Sequence, residues 1–152
     1  MTLALDDLSL LAHALLAAAL GGVIGWERER KNKGAGFRTM MLVALASYLF
    51  VVVSMVAGAS DASNETIRTD PVRAIQAIAT GLGFVGAGLV FRDRASQRTR
   101  GLTTAATLLA VAPVGVAVAL GHVVLAVGAT LLIVLILSAG DMVEDLYIHR
   151  QR

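Results

Sequence analysis

The chain has 152 residues, 57% of them hydrophobic and 16% charged, against roughly 45–50% and about 25% in an ordinary soluble domain. These proportions, with a mean hydropathy of +0.75, argue against a soluble domain, whose helices would have to be apolar all round. The net charge of +2 is too small to mark a nucleic-acid binder, and the lack of cysteine excludes disulfides, thiol catalysis and thiolate metal sites.

A bilayer core of about 30 Å asks for about 20 apolar helical residues. Five such stretches follow one another, at residues 8–26, 39–56, 72–91, 102–120 and 123–139. The first is preceded by Asp6 and Asp7 and by no base, the reverse of a signal peptide's start, so it is expected to be retained as a helix. His13 within it is a lone imidazole, expected to be packed or interfacial. The connection "ERERKNKGAGFR" carries Glu27 and Arg28 at one end and Arg38 at the other, with Thr39 opening the second stretch. A charge held near hydrocarbon wants a partner, so a Glu27–Arg38 ion pair is expected across the first hairpin. The alternative is snorkelling to water and anionic lipid.

The third stretch has a helix-start signature, with Asp70 able to cap and Pro71 at the first helical position. Arg73 and Gln76 follow. The segment "GLGFVG" at residues 81–86 has the G-x-G-x-x-G spacing of a dinucleotide-binding turn, but neither the preceding strand nor the acidic residue about 20 positions later is present. Gly81, Gly83, Gly86 and Gly88 are instead small residues that let membrane helices approach closely. They fall on more than one face, which places this helix at the centre of the bundle; a hinge or broken helix is the functional alternative. Arg92 and Asp93 open the next connection. The fourth stretch starts with Thr103, Thr104 and Thr107, which suit ligand binding or helix capping alike, and holds Pro113 at its middle, where a kink is expected. Only Gly121 and His122 separate it from the fifth, forcing a tight hairpin.

Eleven of the thirteen Lys and Arg residues fall on the side of the first and third connections and the tail. The positive-inside rule then puts the N-terminus outside and the C-terminus in the cytoplasm. The fold class is all-α and membrane-spanning, with residues 1–140 as a five-helix domain and 141–152 as a short cytoplasmic tail. The two basic connections resemble each other: "RER" at residues 28–30 matches "RDR" at 92–94, and "GFRT" at 36–39 matches "GLTT" at 101–104, offsets of 64 and 65 at which Gly22 also meets Gly86. Helices one and two are thus expected to repeat as helices three and four, both hairpins pointing the same way.

A hard divalent cation usually wants one or two carboxylates among its oxygens, and none of the five stretches has an acid in its interior. No nucleophile, base and acid stand at recognisable spacing, so no enzyme and no cofactor are expected.

The segments "GGVIGWERERKNKGAGFRTMMLVALAS", "RAIQAIATGLGFVGAGLVFR" and "RGLTTAATLLAVAPVGVA" resemble the MgtC/SapB family of small bacterial membrane proteins over about residues 16–120. The resemblance implies a five-helix inner-membrane protein linked to growth at low magnesium, called a magnesium transporter in some members and a regulator that binds membrane partners in others. Its motif residues carry over onto Gly22, Glu27, Arg28, Gly36, Arg38, Thr39, the glycines of the third stretch, and Gly101 to Ala105. Where some relatives have asparagine, this chain has Thr103, and it has neither their tryptophan near Leu109 nor their cysteine near Ala110. Longer members add a cytoplasmic ACT-like domain after the point where this chain stops, so regulation through it is not expected. The reading is a partner-binding regulatory module using the glycine-rich helix and the basic rim, with transport of magnesium or another small solute as the alternative. Its expected partners are the bilayer, a second copy in a homodimer or other homo-oligomer, and another membrane protein, but no nucleic acid.

Overall fold

A computed structural model describes residues 2–60, 71–92 and 99–149. Among these stand five helices, α1 (Thr2–Arg30), α2 (Phe37–Ser60), α3 (Pro71–Leu89), α4 (Leu102–Ala119) and α5 (Val123–His149). All five are long and apolar enough to cross a membrane. Three run longer than the sequence expectation, α2 among them, which extends from residues 39–56 to Phe37–Ser60. The first begins six residues earlier and adds a turn through Arg30; the fifth continues through residues 141–149, expected as tail. The overruns at residues 2–7, 27–30 and 141–149 carry charged residues that end the apolar run, and helix propagation extends through them at little cost.

The hairpin of α1 and α2 is built on small residues. Ala14, Ala17, Ala18, Gly21, Gly25 and Arg28 recur at intervals of three or four along α1 and are buried, giving one continuous face. Met40, Ala44, Ser47, Tyr48 and Val51 form the buried face of α2. Tyr48 takes its hydroxyl into this apolar region and donates to the Leu10 carbonyl at 2.9 Å. Such close approach supplies the dispersion contacts that hold membrane helices together.

The central helix is α4, not the glycine-rich α3. Leu108, Val111, Val114, Gly115 and Val118 are buried along α4, which packs against all four other helices. Gly115 lies directly on the backbone of α2 at the Ala44 carbonyl and the Tyr48 amide, where an added Cβ would collide with main chain. In α3 only Gly86 is buried, against Ala105, while a Cβ on Gly81, Gly83 or Gly88 would meet nothing within 4 Å. The expectation that α3 is central therefore fails, because α4 fills the middle with its long buried run and α3 needs only one close approach to reach it.

The two hairpins make corresponding helix pairings. Helix α1 packs on α2 and α4, α3 packs on α4 and α2, and α2 and α4 pack on each other. Gly22 lies on the first turn of α2, at Phe37 and Met41, as Gly86 lies on the first turn of α4, at Ala105. Helix α5 breaks this likeness. It packs on α1 and α4, whereas between α2 and α3 an apolar groove of about 590 Å³ stays open, walled by Leu42, Ala46 and Phe50 on one side and by Ala77, Gly81 and Val85 on the other.

Between α3 and α4 the chain forms a short antiparallel ladder, β1 (Phe91–Arg92) with β2 (Thr99–Arg100), pairing Phe91 with Arg100 and Arg92 with Thr99. No strand was expected there. The return is set by Gly101, whose φ of 87° is open to glycine at no steric cost and brings the chain against the Leu89 carbonyl.

Candidate functional site

The charged end of the bundle is organised by Arg28. After α1 ends, the carbonyl of Arg28 accepts from the amides of Lys31 and Lys33, at 3.2 and 3.0 Å. Asn32 and Ala35 then adopt left-handed conformations, φ 51° and 53°, and this turn brings the Gly34 carbonyl under the Arg28 side chain. The guanidinium donates to that carbonyl from Nε at 3.2 Å and from Nη2 at 2.8 Å. It also donates to Thr104 Oγ1 at 2.7 Å and to Thr107 Oγ1 at 3.2 Å. Thr107 passes its own proton to the Thr103 carbonyl at 2.7 Å. Arg28 is 2% exposed, so one cation ties the end of α1 and the following turn to the first two turns of α4.

The acids on either side of Arg28 have separate tasks. Glu29 accepts from the Phe37 amide at 2.8 Å, satisfying a free donor at the start of α2 and placing negative charge at its positive end. Glu29→Ala is expected to lower stability by about 1 kcal/mol, read as a lower unfolding midpoint of the purified protein; an unchanged midpoint would show that water replaces the cap. Glu27 forms an ion pair with Lys31 one turn on and accepts from the Ser138 hydroxyl of α5 at 3.1 Å. The expected Glu27–Arg38 pair is therefore not made; Arg38 stands exposed on the first turn of α2. Nearby, Trp26 and Phe37 meet edge to face with centroids 6.3 Å apart.

These residues surround a cleft of about 910 Å³ at the junction of α1, α4 and α5. Of the residues singled out in the sequence, Glu27, Arg28, Gly101, Leu102, Thr103 and Thr104 share it. Lys33, Gly34 and Arg100, which sequence reasoning did not select, join them. A signal for Arg28 exists in α1, because it continues the small-residue face at the next helical interval. Thr39 and Gly81 line the groove between α2 and α3 instead. Arg73 and Gln76 are exposed on α3, where the Gln76 carbonyl accepts from Thr80 at 2.8 Å. Gly83 and Gly88 face outward and Gly86 inward. Arg92 belongs to β1, and Asp93 lies outside the described residues. Pro113 lies in an unbroken α4 and lines a small apolar cavity of about 100 Å³ against α3, with Ile75 and Leu82. Among the described residues, no group of three or more His, Asp or Glu could hold a metal ion.

Comparison with known proteins agrees with this architecture. A model of the MgtC family matches residues 14–146. The chain is 43% identical over 129 residues to the protein named MgtC of Brucella abortus (strain 2308), covering 82% of this chain and 50% of that protein. It is 37% identical over 124 residues to the "Putative magnesium transporter YhiD" of Escherichia coli (strain K12), covering 82% and 57%. With the protein SrpB of Synechococcus elongatus it shares 42% identity over 122 residues, covering 76% and 66%. The chain thus spans between half and two-thirds of the length of these relatives. No solved structure matches it.

Proposed function

Since this chain belongs to the MgtC family, we propose that it serves adaptation to low magnesium as a regulatory module of the bacterial inner membrane, docking a helix of another membrane protein on α3. The supporting observation is that Gly83 and Gly88, on two different exposed sides of α3, offer bare backbone with nothing within 4 Å of their missing side chains. Lipid tails gain little from such a surface, but a second helix can approach it closely. The groove between α2 and α3 lies beside α3, as α5 lies against α1 and α4. In this reading the N-terminus lies outside, the basic rim faces the cytoplasm, and no reaction is catalysed.

The test is growth at limiting magnesium in a bacterium deprived of its own family member. Gly83→Leu with Gly88→Leu is expected to lose complementation completely while yield and unfolding midpoint stay within error, because both side chains would project into open space. Full complementation by the double variant would remove α3 as the docking face.

Transport is the second reading, favoured by the name of the Escherichia coli relative and by the rim cleft, where Glu27 stands. Saturable magnesium flux into proteoliposomes, lost in Glu27→Gln, would put this reading first; flux no greater than in empty liposomes, with folded protein, would dismiss it.

A further inference from the structure

The outward side of α3 carries a polar stripe at membrane depth, and we propose that it pairs with the same stripe on a second copy of this chain. Of the five spans α3 is the least apolar, yet it is also the least covered by the rest of the chain. Helix α5 is almost as bare but is the most apolar of the five, as suits a helix that faces lipid. In α3 the apolar and polar residues are separated. Ile75, Ile78 and Leu82 turn toward α4, where they line the small cavity at Pro113. Gln76, Thr80, Gly83 and Ala87 recur at intervals of four, three and four on the side turned away from that cavity, and all are exposed. This is the layout of a surface helix in a water-soluble protein, placed where the surroundings are hydrocarbon.

Depth makes this stripe costly to leave in lipid. Gln76 lies about 7.5 Å inside a span that begins at Pro71, and Thr80 stands at the midpoint of that span. The Thr80 hydroxyl donates to the Gln76 main-chain carbonyl at 2.8 Å, so it is satisfied within its own helix. The side-chain amide of Gln76 has no partner among the described residues. An amide in hydrocarbon is satisfied by a neighbouring helix, and no helix of the same chain covers this side of α3.

A second copy fits because the stripe is complementary to itself. Copies inserted by the same distribution of basic residues share one orientation, so two adjacent α3 helices run parallel and each residue meets its own counterpart at equal depth. A side-chain amide both donates and accepts, so the two Gln76 amides can bond to each other with no other residue type supplied. Further along the stripe, Gly83 has nothing within 4 Å of its missing side chain and Ala87 is small, so the two backbones can approach closely there. Arg73 stands at the outer edge, where helices that cross at Gly83 have diverged and its cation reaches water. The groove side of α3, with Gly81 and, two turns on, Gly88, stays open to a different protein, so the pairing does not rest on that docking.

The chain has no cysteine, so single cysteines placed along α3 report its neighbour directly. Thr80→Cys, Gly83→Cys and Ala87→Cys, with Ala77→Cys and Gly81→Cys on the groove side as controls, would be oxidised in native membranes with copper phenanthroline and the products identified by mass. Disulfide-linked pairs of this chain are expected at the three stripe positions and not at the controls, because a bridge needs Cα atoms within about 7 Å of each other. In a second measurement, fluorescently labelled copies in liposomes would be diluted with lipid and their pairing followed by energy transfer. Gln76→Leu is expected to weaken pairing about tenfold and Gly83→Leu about a hundredfold, while Gly128→Leu, on α5 with nothing within 4 Å, leaves it unchanged. Absence of linkage at the stripe, linkage as strong at the controls, linkage to a different protein instead of a second copy, or pairing unchanged in both Gln76→Leu and Gly83→Leu overturns the proposal, as does equal loss in Gly128→Leu.

Discussion

Arg28→Met is expected to lower stability by about 2–4 kcal/mol, the largest effect of any single charge at the rim. The substitution keeps most of the side-chain length but removes four hydrogen bonds at once, to Gly34, Thr104 and Thr107. Acceptors left without a donor cost roughly 1–3 kcal/mol each where water cannot reach them; Gly34 is exposed and recovers a water, but Thr107 is buried. Arg28→Lys retains the charge yet is expected to lose most of the same stability, since an ammonium cannot present the guanidinium fork to three acceptors on separate segments. Unfolding of the purified protein in a series of denaturing detergent mixtures measures both. A lysine variant as stable as the wild type would mean that charge, rather than the fork, holds the rim.

Gly115→Leu is expected to prevent the folded bundle from forming, and Gly115→Ala to destabilise it by about 1–3 kcal/mol or more. The obstacle at this position is the main chain of α2 at Ala44 and Tyr48, which cannot turn aside as the end of a flexible side chain would. Either α2 and α4 separate, losing contacts along both buried faces, or one of them bends. Gly128→Ala in α5 is the comparison, because a Cβ there meets nothing within 4 Å; it should leave yield and unfolding midpoint unchanged. If Gly115→Ala behaved the same way, the close approach of α2 and α4 would not be needed for stability.

The number of helices and the approximate position of each were legible in the sequence, because hydropathy over about 20 residues reports the solvent a helix lives in. Their neighbours were harder to read. Gly81, Gly83, Gly86 and Gly88 lie on several faces of one helix, and nothing in their spacing says that only Gly86 meets another chain segment. The rim shows a second limit. Glu27 and Glu29 are two residues apart and so point in nearly opposite directions around a helix: the first reaches Lys31 and Ser138, the second the amide of Phe37. A pairing guessed from loop proximity, Glu27 with Arg38, ignores that rotation. Arg28 was recoverable in principle, since it extends the buried interval through Ala14, Ala17, Gly21 and Gly25. Its partners were not, because they lie 76 and 79 residues away at Thr104 and Thr107, beyond the reach of any local pattern.

That separation also sets an order of events during synthesis. When α1 and α2 have left the ribosome, Arg28 can already hold the Gly34 carbonyl of its own hairpin, and at about 5–20 residues per second Thr104 follows roughly 2–9 s later. For that interval the first hairpin is a complete insertion unit with an unfinished end, and the arrival of α4 both closes that end and completes the wall of the cleft. A chain stalled before Thr104 would leave the cation without its two threonine acceptors, so the rim is closed only once the start of the fourth helix has been made.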